Sequence, residues 1–294
     1  MSKEQLLTEF RKQMADCLES MPNSIKENKG KATEALYKRA NMIKEKCIKQ
    51  ALSAIENSVE MQLKQVLLIT YVSFIAILEY RNLVWPYEKL DFSRRIGELW
   101  ELMFKLPFYY PLNELNIYTP PSIDVVEDIL MKKISDFVNN LNISKANKNT
   151  LLRYYKSIWA IIDDGDINLK LDLHFELNEE YYDIDYKSGF GSNEKGNKNR
   201  ILLVARLYKS LPETHNLVML IRQEESENNN YLQVLKKSGL WDVYCADEAY
   251  EKIHEFTGFD VKKWMNDNMD WLNDISPEFM KHLSDNDLIT YLKW

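Results

Sequence analysis

Apolar residues recur at three- and four-residue spacing through the first part of the chain. Leu6, Phe10 and Met14 illustrate this spacing, which is the period of an amphipathic helix and continues to about residue 80. Three further helices are expected at 91–106, near 122–141 and near 147–162. The sequence therefore predicts a largely helical first half.

The most apolar segment of the chain is Val66–Leu78, which is bounded closely by Lys64 and Glu79. This segment is shorter than the roughly 20 residues that a membrane-spanning helix needs, so a buried core helix is predicted and no membrane contact is expected. The N-terminus carries charges throughout and lacks the apolar core of a signal peptide. Three widely spaced cysteines also fit the cytoplasmic location that we expect.

The apolar period shortens to two residues after the acidic turn at 163–166. Residues 169–177 and 182–187 alternate apolar with polar side chains, which is typical of amphipathic strands. Residues 216–221 are continuously apolar, as in a strand buried on both faces. A helix at about 198–210, another at 229–239 and a strand at 241–246 complete the pattern.

This order of elements predicts an α+β fold with an α/β-like core, in which helices flank a central mixed β-sheet. A helical N-terminal region is expected over 1–90, the core over 91–258 and a C-terminal helical segment over 259–294. A helical insertion is expected within the core at about 107–162. With 294 residues, 45% of them hydrophobic, the chain can bury a sizeable core in one large domain or two small ones.

The two alternating runs are predicted to pair as an antiparallel hairpin around a two-residue turn at 178–179. In that register Asp172 lies opposite Asp185, and His174 lies opposite Asp183. Opposed side chains in such a pair are about 4.5–5.5 Å apart at Cβ. The hairpin therefore predicts two carboxylates that face each other.

Two facing carboxylates repel each other unless a positive charge lies between them. A divalent cation such as Mg²⁺ can supply that charge, because carboxylate oxygens are its preferred protein ligands. Lys187 lies two residues beyond Asp185 and shares its face of the strand, so its ammonium could reach a water bound to the metal. The alternative is a solvated sheet face, since any such face alternates charged with apolar residues.

Positive charge accumulates after Lys187. The run Gly189–Asn193 is polar and rich in glycine, so its backbone is expected to be flexible and to approach a ligand closely. The basic residues that follow, with only Glu194 opposing them, are Lys195, Lys198, Arg200, Arg206 and Lys209. The net charge of −7 argues weakly against nucleic acid as a partner, but this local positive field suits a polyanionic substrate.

One strand carries an acid and the next carries Asp-x-Lys, and a helix, a buried strand, a helix and a strand follow. This order resembles the PD-(D/E)xK nuclease superfamily, which is best known from type II restriction endonucleases. The second half of the motif is Asp185-Tyr186-Lys187. The first acid is Asp172, with Asp166 as the competing position. The resemblance covers roughly residues 92–250.

The family often carries a glutamate on the helix that precedes these strands. Glu98 and Glu101 are similar in position, and their spacing of three residues puts both on one helix face. Glu98 is the favoured candidate for a catalytic role. That both glutamates belong to an exposed helix face remains an open alternative.

The resemblance implies a mechanism for these residues. Asp172 and Asp185 would hold Mg²⁺ together with the backbone carbonyl of Tyr186, and Lys187 would orient or polarise the attacking water. Contacts with double-stranded DNA are expected from Ser188, Ser192, Asn193, Lys195, Asn197, Lys198 and Arg200. The alternative for this segment is a surface loop that ends in a helix cap.

The sequence therefore predicts a Mg²⁺-dependent type II restriction endonuclease that cuts a specific double-stranded DNA site. A homodimer is expected, because a two-fold site is matched by a two-fold protein. Two alternatives stay open. One is a repair, recombination or phage nuclease of the same fold, and the other is a non-catalytic α+β binding protein whose Asp and Lys side chains form surface ion pairs.

Overall fold

A computed structural model describes residues 1–55, 57–163, 169–190 and 195–292. Its helices are α1 (Lys3–Ser20), α2 (Asn23–Lys26), α3 (Lys29–Ala54), α4 (Val59–Val84), α5 (Lys89–Tyr109), α6 (Ile123–Asn140), α7 (Lys145–Asp163), α8 (Lys195–Ser210), α9 (Asn230–Ser238), α10 (Asp247–Thr257), α11 (Val261–Asn268), α12 (Trp271–Asp274) and α13 (Pro277–Asp285). Its strands are β1 (Asn116–Ile117), β2 (Leu173–Leu177), β3 (Glu180–Lys187), β4 (His215–Ile221) and β5 (Asp242–Cys245).

Contacts between residues divide the chain into two compact units. The first unit combines Met1–Glu114 with Tyr250–Trp294, and the second is Leu115–Ala249. All five strands lie in the second unit. Helix α5 belongs to the first unit, whereas the sequence prediction grouped this helix with the sheet.

Helix α4 is the central helix of the first unit, with α1 and α3 packed against it. By length and composition α4 is apolar enough to cross a membrane, and 72% of its most apolar window is buried inside the protein. Its buried residues include Ile75, Ala76 and Ile77, which are consecutive and therefore lie on different sides of the helix. The burial that the sequence predicts for this segment is confirmed.

The sheet of the second unit has the strand order β1-β2-β3-β4-β5. The β1–β2 and β2–β3 pairs are antiparallel, and the β3–β4 and β4–β5 pairs are parallel. Parallel neighbours need a crossover connection, which α8 and α9 provide. The predicted α+β fold, with helices around a central mixed sheet, is confirmed.

One face of this sheet packs against α8 and α9. The buried cluster takes Val204 and Tyr208 from α8. From β4 it takes Leu217, Met219 and Ile221, which point to one side of the sheet because they are two residues apart. The side chains of β3 that point to this side of the sheet are therefore enclosed beneath a helix.

Strands β2 and β3 form the predicted hairpin. Leu177 lies opposite Glu180, and the two turn residues Asn178 and Glu179 have φ angles of 53° and 65°. Positive φ at both central positions is the type I′ turn, whose twist matches that of the flanking strands. The predicted two-residue turn and register are confirmed.

Strand β2 is shorter than the sequence predicts. The expected strand covered 169–177, but its pairing with β3 ends at Leu173, opposite Ile184. Asp172 lies in a bend before the strand, so the expectation that it pairs with Asp185 across the ladder is wrong. Alternation of side chains does not reveal where a strand loses its partner.

Strand β1 is a second departure from the sequence prediction, which expected a helical insertion at about 107–162. Asn116 and Ile117 pair with Glu176 and Phe175 of β2. The strand is two residues long, too short to show an alternating pattern of its own. Its pairing with β2 closes that edge of the hairpin.

The type I′ turn generates a stability prediction. A non-glycine residue in the left-handed region costs roughly 1 kcal/mol, and glycine avoids most of this cost. We therefore expect Glu179→Gly to raise the free energy of unfolding by about 0.5–1 kcal/mol, measured by urea titration with circular dichroism. Glu179→Ala keeps the Cβ and is the matched control; an equal gain in both variants would contradict the turn geometry.

Candidate functional site

Asp185 lies on the enclosed face of the sheet, two residues before the carboxyl end of β3. Its neighbour on β4 is Met219, and Lys187 follows beside Ile221 at the carboxyl end of both strands. Only 3% of the surface of Asp185 is exposed. A carboxylate in such a place needs compensating partners, because an isolated buried charge is strongly unfavourable.

Asp172 reaches Asp185 from the bend before β2. Its backbone N–H donates to Ile184 O at 3.0 Å, and its Oδ2 accepts from Tyr186 N–H at 2.8 Å. The two carboxyl groups lie within hydrogen-bonding reach of each other. The structure thus brings the two predicted acids together by backbone hydrogen bonds around the strand end.

Lys187 is a cation in direct contact with this carboxyl pair. Its Nζ lies 2.6 Å from Asp185 Oδ2 and 3.2 Å from Tyr186 O. The contact with Asp185 is an ion pair without good hydrogen-bond alignment, and Oδ2 has no aligned donor in the described part of the chain. One ammonium therefore compensates only part of the negative charge that the two carboxyl groups can carry.

Burial is the main cause of a raised pKa at Asp185. The neighbouring ammonium of Lys187 lowers the pKa, and the charge and hydrogen bond of Asp172 raise it. The net effect raises the pKa of Asp185 from 3.8 to about 6. A cation between the two carboxylates would relieve the same repulsion.

A second buried carboxylate, Asp183, was not among the residues predicted for the site. Its side chain is fully buried, and it accepts hydrogen bonds from three neighbours. His174 Nδ1 lies 2.7 Å from Oδ1 and His215 Nδ1 lies 2.7 Å from Oδ2, while the Tyr118 hydroxyl donates to Oδ1. These partners come from β2, from β4 and from the segment after β1.

These hydrogen bonds give Asp183 the opposite electrostatic character from Asp185. Burial raises the pKa of Asp183, but the bonds from His174, His215 and Tyr118 outweigh it and the net pKa is lowered. Asp183 is therefore an ionised carboxylate in the core. The predicted register does place His174 opposite Asp183, and this was the one signal that could have revealed the network.

The two glutamates considered for catalysis lie on α5, in the first unit. Glu98 pairs with Arg95 and lies 3.9 Å from Arg94 Nε. Glu101 pairs with Lys105 at 2.5 Å. Both carboxylates are engaged within their own helix, and the catalytic role of Glu98 stays a prediction.

The chain directly after Lys187 is tighter than the flexible run that the sequence predicts. Ser188 O accepts from Gln223 N–H at 3.2 Å. A Cβ on Gly189 would come within 1.6 Å of Gln223 Oε1, so any larger residue here would have to displace the Gln223 side chain. Phe190 is 3% exposed and packs in the core, so the first residues of this run are held against the protein, and the expected flexibility stays a prediction.

The residues predicted to contact DNA are placed only in part. Ser188 and Arg200 are exposed. Lys195, Asn197 and Lys198 belong to the start of α8, but their side chains fall outside the described part of the chain. Ser192, Asn193 and the competing first acid, Asp166, lie outside the described residues. The DNA contacts therefore stay predictions.

The donor set for a metal is small. Across 1–55, 57–163, 169–190 and 195–292, no group of three or more His, Cys, Asp or Glu side chains could hold a metal ion. Asp172 and Asp185 form a pair of carboxylates. Asp185 is buried, and its Oδ2 has no aligned hydrogen-bond donor in the described part of the chain. Such a pair fits Mg²⁺, which typically uses one or two carboxylates together with waters and substrate phosphate.

Comparisons with known proteins leave the family open. No family model matches the chain, and no solved structure matches it. A protein named probable protein phosphatase 2C 62, from Oryza sativa subsp. japonica, is 30% identical over 102 residues, which are 33% of this chain. The match spans 35% of that relative, so the likeness covers about a third of either protein.

The raised pKa of Asp185 predicts how stability depends on pH. With a pKa of about 6 in the folded state against 3.8, the folded protein binds more protons than the unfolded chain between these values. The contribution of Asp185 to the free energy of unfolding therefore grows as the pH falls from about 7 toward 4. We expect the melting temperature of the metal-free wild type, relative to Asp185→Asn, to rise by about 3 °C or more between pH 8 and pH 5.

The control for this experiment is Asp242→Asn, which removes one negative charge at an exposed position of β5. Its difference from the wild type should not follow the same trend. A difference between wild type and Asp185→Asn that stays constant across this pH range would contradict the raised pKa.

Proposed function

We propose that this chain is a Mg²⁺-dependent endonuclease that hydrolyses phosphodiester bonds in DNA. The observation that carries the proposal is the convergence of Asp172, Asp185 and Lys187. Two carboxyl groups lie within hydrogen-bonding reach, and the lysine ammonium is 2.6 Å from one of them. These three residues are the ones at which the sequence resembles PD-(D/E)xK nucleases.

The order of elements around these residues supports the proposal. From β2 the chain runs through β3, α8, β4, α9 and β5. This is the sequence of strand, strand, helix, strand, helix and strand on which the resemblance rests. A short Asp-x-Lys motif gains weight from such surroundings, because three residues alone recur by chance in many proteins.

Asp172 and Asp185 would hold the Mg²⁺, with the backbone carbonyl of Tyr186 beside them. Bound there, Mg²⁺ supplies Lewis-acid stabilisation of the charge that develops on the phosphate oxygens. The protein holds the two carboxylates in position by the hydrogen bonds that Asp172 makes to Ile184 O and Tyr186 N–H. Enclosure of Asp185 excludes bulk water and strengthens every charge interaction at the site.

Lys187 would position the water that attacks the phosphorus. Its Nζ contacts Asp185 and the carbonyl of Tyr186, and these two oxygens fix the ammonium at the carboxyl end of β3. An ammonium has three N–H donors and the carbonyl of Tyr186 accepts from one of them, which leaves donor capacity for a water on the substrate side. In this position Lys187 also balances part of the negative charge of the carboxyl pair.

Double-stranded DNA is the proposed substrate. Arg200 is exposed on α8, and Arg206 and Lys209 follow on the same helix. Basic side chains along one helix suit the phosphate backbone. We further propose that the enzyme recognises a specific site and acts as a homodimer, because a palindromic site requires a two-fold protein.

A phosphomonoesterase is the second candidate function. The likeness of about a third of this chain to a probable protein phosphatase favours it, although that likeness assigns no residue of the Asp172–Lys187 site a role. Both candidate functions are hydrolysis of a phosphate ester. An assay of both substrates therefore separates them.

The proposal predicts Mg²⁺-dependent cleavage of phage DNA by the purified full-length protein. Asp185→Asn should lose metal binding and cleavage together, because it removes a buried metal ligand. Lys187→Ala should lower kcat by roughly 10²–10⁴-fold and largely retain DNA binding, because the lysine acts on the water. Gel electrophoresis measures cleavage, and fluorescence anisotropy in Ca²⁺ measures DNA binding.

Matched controls are Asp242→Asn for the acid and Lys237→Ala for the base, both at exposed positions of the second unit. Both should cleave at nearly the wild-type rate. Discrete fragments would support a site-specific enzyme and a smear a non-specific one. If the DNA stays intact and p-nitrophenyl phosphate is hydrolysed, the result favours the phosphomonoesterase over the nuclease. If neither substrate is hydrolysed, the result favours a binding protein.

A further inference from the structure

His174 uses both ring nitrogens inside the second unit. Its Nε2 accepts the backbone N–H of Leu171 at 2.9 Å, and its Nδ1 lies 2.7 Å from Asp183 Oδ1. A backbone amide can only donate, so Nε2 carries no proton and the proton lies on Nδ1. The histidine is 5% exposed, and these two bonds fix the plane of its ring.

The bond to Leu171 acts on the peptide segment that carries the first acid. Asp172 follows Leu171 directly and lies outside β2, because pairing with β3 stops at Leu173. The ladder therefore does not hold Asp172 in place. The bonds that do so are Asp172 N–H to Ile184 O at 3.0 Å, Tyr186 N–H to Asp172 Oδ2 at 2.8 Å and, one residue earlier, Leu171 N–H to His174 Nε2 at 2.9 Å.

His215 provides a natural comparison within the same network. It is also 5% exposed, and its Nδ1 lies 2.7 Å from the other oxygen of Asp183. It lies on β4, on the side of β3 away from β2. His174 and His215 thus share type, burial and carboxylate partner, but His174 alone of the two is bonded to the segment of Asp172 in the described residues.

We propose that His174 is a positioning residue for the metal site, and that with Asp183 behind it this histidine holds the Leu171–Asp172 segment so that Asp172 meets Asp185. The inference rests on the proposed function, since it assumes that the two carboxylates bind a divalent cation. It assigns the bond between His174 and Asp183 a role in metal affinity, in addition to joining two strands. Ligand-orienting partners of this kind typically change metal affinity by roughly 10–100-fold.

Side-chain geometry allows the two nitrogens of His174 to be tested one at a time. The amide nitrogen of asparagine matches the position of Nδ1, and the end of a glutamine side chain matches the position of Nε2. His174→Asn should keep the bond to Asp183 and lose the acceptor for Leu171 N–H. His174→Gln should restore an acceptor at that place, and His215→Asn is the matched control.

The experiment measures Mn²⁺ affinity of the full-length protein by electron paramagnetic resonance, with melting temperatures of the same samples. We expect His174→Asn to weaken Mn²⁺ binding by about 10-fold or more. His174→Gln should recover most of that loss, and His215→Asn should stay within about twofold of the wild type. DNA cleavage should follow the same order, with excess Mn²⁺ rescuing His174→Asn.

Equal weakening of Mn²⁺ binding in His174→Asn and His215→Asn would overturn the inference, because a general loss of structure would then explain both. Unchanged affinity in His174→Asn would also overturn it. If the wild type binds Mn²⁺ but cleaves no DNA, the proposed nuclease function is wrong. The Mn²⁺ affinities of the His174 and His215 variants would then still test the positioning role. A wild type without Mn²⁺ affinity would overturn both.

Hydrogen exchange of the wild type tests the inference even if a variant does not fold. Metal binding should slow exchange of the Leu171 amide, because holding Asp172 on the metal holds the preceding segment against His174. The Tyr181 amide, which donates to Thr214 O, is the internal reference and should not change. Equal exchange of Leu171 with and without Mg²⁺ in a protein that binds the ion would count against the positioning role.

Discussion

The sheet of the second unit depends on the hydrogen bonds made to the buried carboxylate of Asp183. This residue lies on β3 and accepts from His174 on β2, from His215 on β4 and from Tyr118 after β1. A buried charge is unfavourable unless it is bonded, and three donors offset the loss of water here. Because each donor comes from a different part of the chain, the carboxylate is satisfied only when the hairpin, the parallel strand and the edge strand are all in register.

Asp183 and Asp185 show how neighbouring positions on one strand acquire opposite properties. Both lie on the enclosed face of β3, and burial raises the pKa of each. Three donors more than compensate at Asp183, whereas Asp185 faces a second acid and one poorly aligned ammonium. The first carboxylate is thereby a fixed part of the core. The carboxylate of Asp185 is only partly compensated by positive charge, and the proposed metal would supply more.

The proposed site lies where the sheet stops being regular. Asp172 has left the ladder, Lys187 ends β3, and Gly189 allows the chain to pass closely beside Gln223. Asp172 and Lys187 are partly exposed at this edge, whereas Asp185 and the strands behind them stay packed. The His174 bond to the Leu171 amide connects the two zones, since it reaches from the Asp183 network to the segment that carries Asp172.

The sequence by itself determined the features that follow from local periodicity: the helical first half, the two-residue turn at Asn178 and Glu179, and the pairing of His174 with Asp183. Strand pairing over so short a turn leaves one register that buries the apolar face. Only the tertiary structure decided the partners of Asp183, because Tyr118 and His215 lie 65 and 32 residues away and no local period relates them. It also decided that Asp172 meets Asp185 from a bend rather than from a strand, since the length of a strand depends on what pairs with it.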